Sequence, residues 1–318
     1  MKSLQVTSPT TYEILDLPIP TPGANEVLMR VSAVTTCPQW DLHLRHNEPM
    51  FVGHKFVYPY QPGQPGHEAV GVIEAVGAEV KTLRPGQRVC AWRDQGHDIP
   101  GCYAQYVILK EGNAIPVPEH LPDQALASLE LAMCIGTPFR GLKQIDALNG
   151  KRVGVSGLGP AGLVALQMAL AEGAVSVIGF DMNAERRALA LKLGAEACYD
   201  PTAPLPESLL SQPLDTSIDC VGRKSSLEFL LDHTFDTVAL FGVQRENYTY
   251  QPKHNHVTLQ GYKGHFYESA EYALAHIVSG KLNLSALVTH CLPLEDYGKG
   301  IDLLETQQAI KICFLPWA

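Results

Sequence analysis

The sequence has no Cys-x-x-Cys pair, no uninterrupted apolar run of about 18 residues and no cluster of Lys or Arg. Each absence excludes a class of protein. The eight cysteines (Cys37, Cys90, Cys102, Cys134, Cys198, Cys220, Cys291 and Cys313) are too scattered for a secreted disulfide framework. They read as thiols, mostly inert core residues, of a protein in a reducing, cytoplasmic setting. Without a long apolar run no helix is expected to cross a membrane. The opening Met1-Lys2-Ser3-Leu4-Gln5-Val6 lacks the apolar core of a signal peptide. With a net charge of -9 and no basic cluster, neither nucleic acid nor an anionic membrane is expected as a partner. Charged residues are only 18% of the chain and hydrophobic residues 46%, so the 318 residues can bury a large core, in about two domains.

The first third is punctuated by proline and reads as β-rich. Strands are expected over residues 26–34, 68–76, 88–92 and 103–109, the second with small residues suited to a curved or bulged wall. After Pro122 the pattern becomes helical over 123–147, with an interruption at Gly136-Thr137-Pro138. Strands at 152–156, 175–180, 216–220, 236–241 and 256–259 then follow, with helices at 161–171 and 184–193 set between the first of them. That rhythm implies a parallel sheet with helices on both faces. Helices at 268–279 and 294–306 and a strand at 309–315 end the chain. The expected layout is a β-rich domain over 1–134, a doubly wound α/β domain over 135–265, and a return to the first domain over 266–318.

Gly157-Leu158-Gly159-Pro160-Ala161-Gly162 stands between a predicted strand and a predicted helix. In that context Gly-x-Gly-x-x-Gly is a phosphate loop. The first glycine allows a tight turn, the second a close approach to a pyrophosphate, and the third close packing of helix on strand. Asp181 ends the next strand about 20 residues further on, where a carboxylate accepts hydrogen bonds from ribose hydroxyls. A carboxylate there repels a 2′-phosphate, so NAD is favoured over NADP. Arg186 is placed to lie over the adenine or ribose, while its neighbour Arg187 weakens the preference. A Rossmann-like domain for another nucleotide-like ligand, such as S-adenosylmethionine, is the alternative at this point.

Two further segments carry chemistry. Cys37 follows a predicted strand, in Cys37-Pro38-Gln39-Trp40-Asp41-Leu42-His43, and Gly66-His67-Glu68 opens another. Thiolate, imidazole and carboxylate together suit zinc. Cys37 alone would be a buried thiol, and His67 alone a satisfied polar residue. With the order of domains, these segments resemble the zinc-dependent medium-chain dehydrogenase/reductase family. The likeness runs through Ala69-Val70-Gly71, residues 80–89, Gly101-Cys102-Tyr103-Ala104-Gln105-Tyr106, the glycine loop, Gly194-Ala195 and Gly280-Lys281.

The resemblance implies a GroES-like β-rich catalytic domain plus a Rossmann domain, with one catalytic zinc on Cys37 and His67. Glu68 would be a direct ligand or lie just behind the metal. A further ligand would come from Glu130 or from Cys134 one helical turn on, and the match without a gap favours Glu130, as in the polyol and threonine branch. Asp41 would orient His67, and His43 matches a histidine that passes protons to solvent. The implied reaction is hydride transfer between an alcohol or polyol and a nicotinamide cofactor, reversible from the ketone or aldehyde, in the cleft between the domains. A homodimer or homotetramer is the family-level expectation, paired through residues 256–259.

Three departures from the family pattern stand out. Cys37 and Asp41 are separated by three residues where relatives have two. The Ser or Thr that relatives carry two residues after the cysteine is replaced by Gln39, or by Trp40 if the insertion is allowed for, which leaves Thr35, Thr36 or a water for its task. The four-cysteine structural-zinc lobe has no counterpart in residues 93–100. A zinc-less quinone or enone reductase, and a non-catalytic NAD(P)-binding protein, are the competing readings.

Overall fold

The computed structural model describes residues 1–318, the side chain of Ser208 excepted. In chain order it begins with β1 (Lys2–Ser8), β2 (Thr11–Asp16), β3 (Glu26–Thr35), α1 (Pro38–His46), β4 (Glu68–Val76), β5 (Arg88–Ala91), β6 (Tyr106–Lys110) and β7 (Ala114–Pro116). The helix α2 (Leu129–Gln144) leads into β8 (Arg152–Ser156), α3 (Pro160–Ala171), β9 (Ser176–Phe180), α4 (Ala184–Lys192), β10 (Ala197–Tyr199) and α5 (Glu207–Leu210). Next come β11 (Leu214–Asp219), α6 (Lys224–His233), β12 (Thr234–Leu240), β13 (Thr258–Gln260) and α7 (Tyr267–Val278). The chain ends with β14 (Val288–Pro293), α8 (Tyr297–Glu305) and β15 (Lys311–Leu315).

Two compact units result. One comprises Met1–Leu131 with Asn283–Ala318, the other Ala132–Leu282. The first is built on a sheet in the order β14-β15-β3-β4-β5-β7, with β6 paired to β3. The strand β3 is its centre, because Val27, Met29, Val31 and Val34 are buried and β-branched residues suit a covered pleat. Register slips between Leu28 and Met29 and between Val31 and Ala33 bend it against β4. Past Thr35 the chain turns at Cys37, which caps α1 with Pro38 at the first helical position, where proline's lost N–H costs nothing. Residues 101–103 run along 62–66, with Gly101 N bonded to Pro62 O (2.9 Å), Tyr103 N to Gly63 O (2.9 Å) and Cys102 N to Gly66 O (2.7 Å). This clamp fixes the approach to His67.

The second unit is a six-stranded parallel sheet, β10-β9-β8-β11-β12-β13. The order reverses between β8 and β11, the place where doubly wound sheets bind ligands. At the end of β8, Gly157 takes φ 84° and starts the glycine loop. A Cβ on Gly162 would lie 1.7 Å from Gly157 O, so only glycine lets α3 sit this close to the loop. From Gly162 to Ala169 α3 is buried all round, as its largely apolar character requires, and the one polar side chain there, Gln167, donates Nε2 to Leu163 O at 3.1 Å.

Three expected features differ. No interruption occurs at Pro138, and α2 runs through it. The Thr137 hydroxyl bonds back to Met133 O (3.4 Å), Gln260 Nε2 donates to Pro138 O (2.8 Å), and burial of Phe139 and Leu142 outweighs the proline's cost of about 3 kcal/mol. The chain returns to the first unit at Asn283 rather than at 266. The helix α7 stays with the second unit because Ser269 Oγ bonds Thr137 Oγ1 (3.1 Å), and Tyr272 and His276 both bond Glu172 Oε1 (3.0 and 3.1 Å). Tyr103, expected to open a strand, lies instead in the clamp segment before β6.

Phe314 on β15 is fully buried, with ring centroids 5.4 Å from Tyr103 and 5.8 Å from Tyr297. Phe314→Ala is expected to cost about 3–5 kcal/mol, read as an earlier midpoint in urea unfolding. A midpoint unchanged from wild type would show that this aromatic cluster adds no stability.

Candidate functional site

Cys37 ends the turn after β3, and His67 and Glu68 stand where β4 begins. One ligating atom from each falls within 4.8 Å of the other two. The Cys37 sulfur lies within 4.8 Å of a His67 ring nitrogen. His67 Nδ1 donates to Pro65 O at 2.8 Å, which leaves Nε2 as the ring nitrogen available to a metal in place of its proton. Glu130, on the first turn of α2, brings Oε2 to 3.7 Å from His67 Nε2. All but Cys37 are buried.

The donor set fits a zinc ion. Burial alone would lower the pKa of His67, but the Cys37 thiol and the charge of Glu130 overcome it and raise the value well above normal. The imidazole thus sits in a field that demands a positive charge. Thiolate, imidazole nitrogen and carboxylate oxygen are the ligand types of tetrahedral zinc.

Glu68 plays a different part from the other three. Its Oε2 accepts from Lys311 Nζ at 2.5 Å and from Thr35 Oγ1 at 3.0 Å, and Thr35 also meets Ser128 Oγ at 2.8 Å. Glu68 and Lys311 are both almost completely buried. Both bonds are to Oε2, while Glu68 also brings an oxygen within 4.8 Å of the ligating atoms of Cys37 and His67.

Asp41 departs from expectation. Its carboxylate accepts from Tyr103 OH (2.9 and 3.1 Å) and Tyr297 OH (3.1 Å), while the partner of His67 Nδ1 is Pro65 O. Asp41 is fully buried, and burial pushes its pKa up to about 7 against the lowering effect of the two tyrosines. His43, one turn along α1 from Gln39, has Nε2 3.2 Å from Gln39 Nε2 and Nδ1 3.1 Å from Glu48 O. The alternative hydroxyls are committed elsewhere: Thr35 as described, and Thr36 Oγ1 to the amide of Ile312 (3.0 Å). Cys134 is buried one turn past Glu130 on α2.

In the second unit, Gly157, Leu158 and Gly159 leave the end of β8, and Pro160, Ala161 and Gly162 open α3 with its first amides facing the loop. Asp181 Oδ2 accepts from Leu158 N (2.7 Å) and Oδ1 from Asn183 N (2.8 Å), so the carboxylate that ends β9 also braces the loop. Arg186 Nη1 is 3.9 Å from Asp181 Oδ2. Arg187 is held by the carbonyls of Asp181 (2.6 Å) and Met182 (2.9 Å).

Sequence reasoning missed Lys311, Tyr297, Ser128, Asp94 and His97. The first three reach the site from distant parts of the chain. Asp94 and His97 lie in the segment read only for its missing cysteines.

A parallel nucleotide-type sheet in one unit and a GroES-like sheet with a Cys–His–Glu cluster in the other are the features of an oxidoreductase. Residues 23–119 match the alcohol dehydrogenase GroES-like domain, and residues 160–275 match the zinc-binding dehydrogenase domain. The sorbitol dehydrogenase of Pongo abelii is 30% identical over 96% of this chain and 92% of its own length. The L-threonine 3-dehydrogenase of Proteus mirabilis is 25% identical over 95% of each chain. The structure of galactitol-1-phosphate dehydrogenase from Escherichia coli superimposes with a TM-score of 0.86 at 21% identity, covering 99% of this chain and all of that one. The chain belongs to the zinc-type medium-chain dehydrogenase family.

Lys311→Met leaves the Glu68 charge buried and unpaired, with an expected loss of about 3–5 kcal/mol in urea unfolding. Adding Glu68→Leu should return most of that stability; a double variant as weak as the single would refute the ion-pair explanation. Asp41 gives a pH signature. Its folded pKa is raised, so the native state holds a proton that the unfolded state releases between pH 3.8 and about 7. Its contribution is therefore complete below that window and lost as pH rises through about 7. Relative to Asp41→Asn, wild type should lose thermal stability across this window. A difference between the two that is constant with pH would contradict the raised value.

Proposed function

We propose that the chain is a zinc-dependent dehydrogenase that prefers NAD and oxidises an alcohol or polyol, with the ketone or aldehyde as substrate in reverse. The observation that carries this reading is the orientation of the His67 ring. With Nδ1 tied to Pro65 O, Nε2 is the nitrogen turned to Glu130 and open to a metal in exchange for its proton. Zinc held there supplies a Lewis acid that lowers the pKa of an alcohol hydroxyl.

The residues divide the work. Cys37 and Glu130 bring the negative charge that retains the cation, and His67 completes the set. Glu68 stays behind them, neutralised by Lys311, and adds little further negative charge to the cluster. Oxidation removes a hydride from the substrate carbon to the nicotinamide and a proton from its hydroxyl. The glycine loop and the start of α3 take the pyrophosphate on backbone amides. Asp181 accepts from the ribose hydroxyls and its charge opposes a 2′-phosphate, which supports NAD; Arg187 is turned into backbone carbonyls and so does little to offset this. The substrates in the relatives' names, sorbitol and galactitol 1-phosphate, support a polyol. Pairing of two copies through β13, the edge of the parallel sheet, is the dimer this reading favours.

Protein purified without added metal should carry about one zinc per chain. Cys37→Ala should lose both the metal and NAD-dependent oxidation across a panel of alcohols. Wild-type protein without zinc would favour the zinc-less reductase, and activity retained in Cys37→Ala would exclude the zinc mechanism.

A further inference from the structure

The segment after β5 is short, yet it carries a histidine–aspartate pair. His97 Nε2 lies 3.0 Å from Asp94 Oδ2, and Asp94 Oδ1 accepts from Gly96 N at 2.7 Å. The His97 ring lies on the Trp40 ring at 3.6 Å between centroids, tilted by 32°. Trp40 belongs to the first turn of α1, which Cys37 caps. The other side of the segment is fastened to the approach to His67, since Gln64 Nε2 donates to Gly96 O and Ile99 O, both at 2.9 Å. The pair is therefore held between the elements that supply Cys37 and His67.

Its charge reaches the cluster. Burial would raise the pKa of Asp94, but the His97 bond and the His67 charge hold it well below the usual carboxylate range, and Asp94 in turn acts on His67. His97 Nδ1 is buried without a hydrogen-bond partner among the described residues. A buried polar atom left so is costly, and a partner from outside the chain would remove the cost. Meanwhile Gln39 stands where relatives have a hydroxyl, and Thr35 and Thr36 are engaged with Glu68, Ser128 and Ile312.

We propose that His97, oriented by Asp94 and seated on Trp40, accepts the proton of the substrate hydroxyl in this chain. The inference rests on the dehydrogenase reading above. The hydroxyl O–H bond breaks and an Nδ1–H bond forms. The electron pair left on oxygen becomes the second bond of the carbonyl as the C–H pair departs as hydride to the oxidised nicotinamide. The imidazolium then releases its proton to water. Asp94 is the positioning residue: it fixes the ring and stabilises the imidazolium, the service an aspartate gives a catalytic histidine. Facing the imidazole are Asp94 from its own loop, the uncharged Trp40 from α1, and His54, whose ring is 6.3 Å away. Burial, then the charges of His97 and His43, lower the pKa of His54 and favour its neutral form.

The test uses His97→Gln and Asp94→Asn. In the full chain without metal or cofactor, Trp40 emission should be quenched as His97 takes up its proton on acidification, and this step should vanish in His97→Gln and in Trp40→Phe. In the zinc-loaded enzyme, His97→Gln should keep its zinc and lose about 100-fold in kcat for alcohol oxidation. Its acid limb in the pH profile should disappear, and added imidazole should restore part of the rate. Asp94→Asn should show a smaller loss with a displaced limb. A quench that persists in His97→Gln, a variant with wild-type rate and pH profile, or zinc lost from His97→Gln would each overturn the proposal. Wild-type enzyme that holds zinc but oxidises no alcohol would instead overturn the dehydrogenase reading, and the proposal with it.

Discussion

The candidate site depends on one buried ion pair, Lys311 with Glu68. Glu68 opens β4, Lys311 opens β15, and Thr35 at the end of β3 stands opposite Glu68 while bonded to it. The C-terminal strand is thus joined to the two elements that carry Cys37 and His67. Two unpaired charges at this depth would be prohibitive, and as a hydrogen-bonded pair they are tolerated. The pairing also sets the charge of the cluster. With Glu68 neutralised from behind, Cys37 and Glu130 remain as the groups that call for a cation.

A second constraint follows from the extra residue between Cys37 and Asp41. The cysteine caps a helix and Asp41 lies on its first turn, so one inserted residue turns the side chain by about 100° about the helix axis. The carboxylate then faces Tyr103 and Tyr297, and a backbone carbonyl takes over the orientation of His67. The aspartate is kept in a role suited to a proton-bearing buried group, inside a cluster that also contains Phe314.

What was legible in the sequence was local. The glycine loop announces itself because strand, turn and helix are consecutive, and Asp181 lies one strand further on. Cys37, His67 and Glu130 were readable through the family resemblance, and the structure brings Cys37 and Glu130 to His67. Long-range partners left no local signal. Lys311 sits in a stretch that reads as an ordinary terminal strand, and nothing nearby shows that its ammonium crosses to Glu68. Pro138 misled because a proline in a helix is a local cost, whereas the burial that outweighs it is tertiary. The unit boundary at Asn283 was obscured for the same reason: the bonds that hold α7 run to Thr137 and Glu172, far back in the chain. His97 was passed over because its pairing with Trp40 needs the fold of α1.

The central claim is that Cys37, His67 and Glu130 form a zinc site with Glu68 held behind it by Lys311. Anomalous diffraction at the zinc edge from crystals of the native protein tests it most directly. Expected is a single peak in the first unit at bonding distance from Cys37 Sγ, His67 Nε2 and a Glu130 oxygen, with Glu68 still on Lys311. No peak there, or a peak with Glu68 as a ligand and Lys311 displaced, would contradict it.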